Sequence, residues 1–365
     1  MWNAECERFP LTPHSELDMR AGIIGLPQAG KTSLFKILTH SHLATGFGSH
    51  EAHLGVVRVP DRRLDELARL FKPEKTTHAA IEFLDVPAIS KENLREASYL
   101  ANLRNVDALL HVVRAYGADP APARDIADID LELILSDLGQ AEKRIEKLER
   151  DLRKAKDAEL EHEFQVLGKA RRHLESEKPL RDLELDSAEK KRVRGFMFLS
   201  EKPMLYVLNA GDEDAPSLEQ LRQRYQLGGR PHTEVAAVCG QIESEIAELP
   251  EGEAAEYMAG YGLKESGLER LMGATYHLMG FISFFTVSEK ECRAGTLTRG
   301  QTALEAAAAV HTDFAKHFIR AEVVQWDDLL RAGSLAAARD RGLLRLEGKE
   351  YQVQDGQVVY IRHSG

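Results

Sequence analysis

Cysteine is scarce in this chain. Cys6, Cys239 and Cys292 are the three present, far apart and without metal-ligand spacing. So sparse and odd a set excludes a disulfide framework and fits a reducing cytoplasm. No apolar run is long enough to span a bilayer, so no membrane partner is expected. The mean hydropathy is -0.35, the value of a soluble protein. An excess of positive charge is also missing. Against 48 Lys and Arg stand 59 Asp and Glu, a formal net charge of -11. That argues against binding nucleic acid through a general basic surface, and DNA is not an expected ligand. Residues 1–18 are polar, contain Pro10 and Pro13, and lack the apolar centre of a signal peptide. They read as an extension, either a disordered tail or the product of a start codon upstream of Met19.

What is present is a phosphate-binding pattern. Gly25-Leu26-Pro27-Gln28-Ala29-Gly30-Lys31-Thr32-Ser33 fits G-x-x-x-x-G-K-[ST]. Ala21–Ile24 before it reads as a buried strand. Ser33–Leu38 after it reads as a helix with Leu34, Ile37 and Leu38 on one face, the context such a loop requires. Triphosphate needs donors at close range. Glycines let successive backbone N–H groups turn inward as an anion nest. The helix N-terminus adds its positive dipole end. Lys31 is expected at the β- and γ-phosphates and the Thr32 hydroxyl on Mg²⁺, with Gly25, Pro27, Gln28, Ala29, Gly30 and Ser33 completing the cradle.

At 365 residues the chain is expected to hold two or three units. Strand-like runs recur at Gly55–Val59, Ala79–Asp85, Ala108–Val113, Met204–Asn209 and Glu234–Val238, separated by helical or polar segments. This spacing predicts an α/β fold with a doubly wound, mostly parallel sheet. His40–Leu54, rich in Gly, Ser and His, reads as a mobile loop. An insertion divides the pattern: Leu131, Leu138, Ile145 and Leu152 recur every seven residues, in step with Ile134, Ala141, Leu148 and Ala155. This is a coiled-coil seam, with Leu160, Phe164, Leu167 and Leu174 on the returning helix and a turn near Lys156-Asp157. It reads as a solvated spacer or as a docking arm. From Phe281 onward the pattern changes to short strands around a helix at Ala303–Val310. Tyr351–Val353 and Val358–Ile361 flank an Asp355-Gly356 turn. The expected partition is an extension at 1–18, a P-loop domain at 19–130 and 199–280, a helical insertion at 131–198, and a small α+β domain at 281–365.

Three further pieces complete the nucleotide machinery. Asp85 ends a strand, where a carboxylate would hold Mg²⁺. The run that follows is Asp85-Val86-Pro87-Ala88, with Ala88 in place of the glycine of D-x-x-G. Next comes Ile89, where many GTPases carry a water-orienting glutamine that isoleucine cannot replace. Asn209-Ala210-Gly211-Asp212 is similar to the base-reading N-K-x-D without its lysine. A plain Asx turn is the competing reading. His111, in an apolar strand, reads as a core histidine, and Trp326 as packing. A small-molecule kinase is disfavoured, because no lid with clustered arginines is evident.

These residues carry a resemblance to the YchF/Obg-like ATPase family of translation-factor-class P-loop NTPases. It rests on Gly22–Ser33, Gly55–Asp65, Ile81–Asp85, His111–Arg114, Ile242–Leu249, His311–Phe314, Phe318–Glu322 and Leu346–Lys349, in order along nearly the whole chain. The resemblance implies a P-loop domain with an inserted coiled coil and a C-terminal TGS domain of β-grasp fold. It further implies ATP in preference to GTP, use of Mg²⁺, and association with ribosomes or RNA. An apolar residue at Ile89 is a family trait. Ser49 falls at the switch-I threonine, a second Mg²⁺ contact, and Cys239-Gly240 falls in the loop that touches the base. The departures are Ala88, the non-glycine run Ser90–Glu96, Asp212 in place of a glutamate, and a short loop Ala115–Asp125 without the family's histidine. Slow nucleotide hydrolysis and a nucleotide-binding scaffold with little turnover therefore both stand as expectations.

Overall fold

The computed structural model describes residues 19–39, 53–90, 92–225, 227 and 229–364. The extension at 1–18, Cys6, Ser49 and most of the segment expected as a mobile loop lie outside the described residues. Twelve strands occur in the described chain: β1 (Arg20–Gly25), β2 (His53–Arg58), β3 (Lys75–Thr77), β4 (Ala80–Asp85), β5 (Ala108–Ala115), β6 (Met204–Ala210), β7 (Thr233–Val238), β8 (Phe281–Val287), β9 (Glu291–Thr298), β10 (Phe318–Gln325), β11 (Arg345–Glu347) and β12 (Gln357–His363). The helices used below are α1 (Lys31–Thr39), α2 (Arg62–Phe71), α3 (Ala97–Arg104), α4 (Pro122–Leu152) and α5 (Ala158–Glu175). The fold divides into two units, one of Met19–Val57 with Glu82–Leu278, the other containing Arg58–Ile81 and Met279–Gly365.

The first unit is built on a sheet of order β2-β4-β1-β5-β6-β7. The pairs β1–β4, β1–β5, β5–β6 and β6–β7 are all parallel. Strands buried on both faces read as continuous apolar runs, which is why β5 and β6 were plain in the sequence. One face of the sheet packs Ile24, Leu109, Val113, Tyr206 and Leu208 against Ile126, Ile129 and Leu133 of α4. α1 buries Leu34, Phe35, Ile37 and Leu38.

α4 begins at Pro122, nine residues before the expected seam, with proline in its first turn, where the missing N–H costs nothing. Its first turns serve the sheet. Farther on, Ile134, Ala141, Ile145 and Leu148 meet Val166, Leu167, Ala170 and Leu174. The seam is therefore shorter than its heptads implied. Leu131 is 39% exposed, and Ala155 lies exposed beyond the end of the helix. The physical reason is length: α4 has 31 residues and α5 only 18, so the first turns of the longer helix lie beyond the reach of the shorter one. The turn falls where the sequence indicated it, and Asp157 caps α5 by accepting from Glu159 and Leu160 N–H.

A buried carboxylate pins this helix to the segment that leads into β6. Asp137 accepts from Leu199 N–H at 2.9 Å, Ser200 N–H at 2.7 Å and the Ser200 hydroxyl at 2.7 Å. A second buried cluster joins Asp130 of α4 to Arg181, Arg230 and Tyr206.

The second unit has a sheet of order β11-β10-β12-β8-β9-β3. β8 and β9 form an antiparallel hairpin. β12 lies between β8, to which it is parallel, and β10, to which it is antiparallel. A parallel pair of first and last strands beside a helix, here Ala303–Val310, is the β-grasp arrangement. Asp355-Gly356 forms the expected turn, but the segments on its two sides do not pair with each other. Residue 352 makes a single bridge to Thr302, because β12 already has a partner on each edge. The segment Arg58–Ile81 groups with this unit, whereas the sequence partition assigned it to the P-loop domain. Leu64 and Leu67 of α2 pack with Phe285, Val287, Val324 and Val358, and β3 pairs in parallel with β9.

Asp137→Ala strands two buried backbone donors and is expected to cost about 3 kcal/mol in urea unfolding. Burial pushes the Asp137 carboxyl up to about 6 from a usual 3.8, against the pull of its Ser200 and Leu199 hydrogen bonds. A raised folded-state value means that its contribution is full below about pH 4 and declines as pH rises through about 6. The gap between wild type and variant should therefore narrow from pH 4 to pH 7.

Candidate functional site

The loop between β1 and α1 lies at the C-terminal edge of the parallel sheet, where doubly wound folds bind ligands. Its glycines answer to contacts. A Cβ on Gly25 would lie 2.6 Å from the Val112 carbonyl oxygen on β5. Gly30 has φ +99°, and a Cβ there would collide with the Asn209 amide. Gln28 also takes a left-handed conformation, φ 64°. Its carbonyl accepts from the Tyr116 hydroxyl at 2.8 Å. Pro27, Gln28, Thr32 and Ser33 are exposed along the crest, while Ala29 and Lys31 are buried.

The Lys31 ammonium donates to the Leu26 carbonyl at 3.0 Å, curling over the loop. The Thr32 hydroxyl donates to Asp85 Oδ2 at 3.4 Å. Burial lowers the Lys31 pKa, with Asp85 acting against it. Burial likewise raises that of Asp85, opposed by Lys31 and the Thr32 hydrogen bond. Each group is thus held in a medium that disfavours its charge. An incoming anion would stabilise Lys31, and an incoming cation would stabilise Asp85.

Two strands along from β1, Asn209 is the penultimate residue of β6, its side chain stretched between two loops. Its Nδ2 donates to Ala29 O at 3.0 Å, and its Oδ1 accepts from Gly240 N–H at 3.1 Å. Asp212 follows, exposed, at the start of a 3₁₀ turn. Its Oδ1 accepts from the Cys239 thiol at 3.1 Å. Burial and the adjacent Asp212 carboxylate push that thiol up to about 12, so it is protonated. Ala210, at the place of the lysine in N-K-x-D, is 4% exposed and belongs to the core. The structure thus brings Asn209, Asp212, Cys239 and Gly240 together and ties them to Ala29-Gly30.

The stretch after Asp85 is held down by contacts that sequence reading missed. Ile89 N–H donates to Gly25 O at 3.3 Å, and its side chain lies in the core. The Tyr99 hydroxyl donates to Pro87 O at 3.1 Å, and the Asn93 amide to Ala88 O at 2.7 Å. Ser90-x-x-Asn93 carried a local signal, since the Ser90 hydroxyl accepts from Asn93 N–H. Tyr99 and Tyr116 carried none. His111 is fully buried, its ring nitrogens have no hydrogen-bond partner, and burial lowers its pKa to about 3. It is a core histidine, but an unsatisfied one.

A parallel sheet of this order, with a phosphate loop after its first strand and an Asn-x-x-Asp at the end of β6, defines a P-loop nucleotide-binding protein of the GTPase class. The comparisons agree. A family model described as 50S ribosome-binding GTPase matches residues 20–158. A YchF-GTPase C-terminal model, described as a protein of unknown function, matches residues 281–364. The chain is 40% identical over 363 residues to the ribosome-binding ATPase YchF of Bacillus subtilis, covering 94% of this chain and 99% of that one. It is 38% identical over 364 residues to its Pasteurella multocida counterpart, at 95% and 99% coverage. The solved structure of the Schizosaccharomyces pombe YchF GTPase superposes with a TM-score of 0.81 at 25% identity, over 94% of this chain and 97% of that one. This chain belongs to the YchF family.

Asn209→Ala removes both ties between the loops. Nucleotide affinity, read by calorimetry, is expected to fall about tenfold for ATP and GTP alike, the equivalent of one net hydrogen bond.

Proposed function

We propose that the protein binds a purine nucleoside triphosphate with Mg²⁺, hydrolyses it slowly, and works in association with the ribosome. The observation that carries this is the Lys31–Thr32–Asp85 cluster at the mouth of the loop. A buried ammonium and a buried carboxylate, each destabilised in its charged form, suit a polyanion that arrives with a cation. Thr32 Oγ1 and Asp85 Oδ2 are oxygen donors on one side of the loop, the hard donor set that Mg²⁺ prefers, and Mg²⁺ takes few protein ligands and keeps phosphate oxygens and water. These two residues would hold it, with Ser49 as the further hydroxyl. Held there, the ion would supply positive charge to neutralise charge developing on the phosphates. Lys31 would leave the Leu26 carbonyl for the β- and γ-phosphates, and backbone N–H groups of residues 28–33 would line the nest. Asp212 and the Cys239-Gly240 loop would meet the base. Ribosome association is supported by the names of the relatives reported above. The same names support a cytoplasmic place of action; among the described residues no helix is long and apolar enough to cross a membrane.

A second reading, nucleotide binding with little turnover, is favoured by Ile89. Its side chain is committed to the core, and the backbone around it is tied to Gly25, Tyr99 and Asn93. Ile89 itself offers no polar group that could orient water.

Phosphate release from ATP and from GTP, followed with Mg²⁺ and with EDTA, tests both readings. Slow, Mg²⁺-dependent release that falls to background in Lys31→Ala and Thr32→Ala is the expected result. Tight binding without release would favour the second reading. Binding of neither nucleotide would overturn both. Co-sedimentation with ribosomes, with and without nucleotide, is expected to depend on the nucleotide present.

A further inference from the structure

The contact between Cys239 and Asp212 bears on the base rather than on the phosphates. The two residues come from different strands' ends, twenty-seven positions apart, yet the thiol sits 3.1 Å from Asp212 Oδ1. Cys239 itself is 0% exposed, so it cannot touch a base directly. It stands at the N-cap of the helix Gly240–Glu248. From there its S–H donates to the carboxylate. Asp212 is exposed. The chain is fixed on both sides of this pair. Asn209 holds Gly240 N–H, and Asp214, two residues on, is in an ion pair with Arg224 at 2.7 Å. The carboxylate thus has Oδ1 engaged by the protein, on a residue that is exposed overall.

Purines differ on the edge such a carboxylate would read. Guanine offers two parallel donors, N1–H and the N2 amino group, which match both oxygens of a carboxylate at once. Adenine offers one amino donor, N6, beside an acceptor nitrogen. An oxygen that already accepts from the thiol keeps a second lone pair but is a poorer acceptor, and guanine needs both oxygens where adenine needs only one.

We propose that Cys239 sets base preference: its thiol occupies one oxygen of Asp212, weakening the two-point contact to guanine and tilting the site toward adenine. Cys239 acts through Asp212 and is a positioning residue. The inference rests on the nucleotide-binding reading given above and extends it to a discriminating contact. It also accounts for an aspartate at a place where the carboxylate alone would favour guanine.

The test is the ratio of ATP to GTP dissociation constants, measured by calorimetry on the full chain with Mg²⁺. Cys239→Ala removes the donor, and Cys239→Val removes it while nearly conserving volume, so that one of the two reports if the other folds poorly. Either is expected to tighten GTP relative to ATP by about tenfold, the scale of one hydrogen bond to a charged group. Cys239→Ser restores a donor and should keep the wild-type ratio. A simple loss of structure would weaken both nucleotides together and leave the ratio unmoved. Donor-less variants that bind both nucleotides at the wild-type ratio would overturn the inference and leave nucleotide binding standing. A wild-type protein that binds neither would overturn the nucleotide-binding reading, and this inference with it.

Discussion

The amide of Asn209 carries the organisation of the site. It is one side chain with a donor and an acceptor, and each finds a backbone group on a different loop: Ala29 O before the last glycine of the phosphate loop, Gly240 N–H after β7. Both bonds are largely shielded from water, since Asn209 is 9% exposed. An amide so placed can be replaced by no other residue type without leaving a backbone group unpaired. Gly30 answers to the same constraint, for any Cβ there would strike this amide. Three loops from β1, β6 and β7 therefore share one reference point, and the phosphate end and the base end of the site cannot move independently.

That coupling contrasts with the segment after Asp85. In a switch, the peptide that meets the γ-phosphate must be free to change partners. Here the carbonyls of Pro87 and Ala88 are engaged by Tyr99 and Asn93, and the N–H of Ile89 by Gly25. A nucleotide-driven movement of this stretch has to break those bonds. Only an interaction made in one state and not in the other can supply the difference. A non-glycine Ala88 adds to the stiffness, because it cannot enter the conformations a glycine would open. The site is thus better prepared to bind and position phosphates than to rearrange around them.

How much of this the sequence disclosed depends on whether a feature is local. The phosphate loop, its flanking strand and helix, Asp85 and the Asn209–Asp212 run were legible because each is a short pattern set by one backbone geometry. The parallel sheet was legible because strands buried on two faces are apolar throughout. The two uses of α4 were not, for a heptad pattern reports which face is apolar and not what lies opposite. Leu131 keeps the rhythm of the seam beyond the reach of α5. The clustering of Arg58–Ile81 with the C-terminal unit was hidden in the same way. The apolar stripe of Leu64 and Leu67 was visible, but not its partners Phe285 and Val358, more than two hundred residues away. Tyr99, Tyr116 and the thiol–carboxylate contact are likewise products of tertiary placement.

The buried polar groups of the first unit follow one rule. Asp137 and Asp130 both rise from α4 into the core, and both are fully engaged there, the first by two backbone N–H groups and a hydroxyl, the second by two arginines and a tyrosine. Apolar contacts alone would let a helix of 31 residues slide or rotate along the sheet at little cost. A carboxylate that must meet particular donors fixes both its register and its rotation, because any displacement leaves charge buried and unpaired. α4 follows directly from β5, whose carbonyl at Val112 faces Gly25 of the phosphate loop. The same pins that hold the helix therefore also steady the strand against which that loop is folded. His111 lies on this strand with its ring edge-on to Tyr206 and no hydrogen-bond partner for either nitrogen.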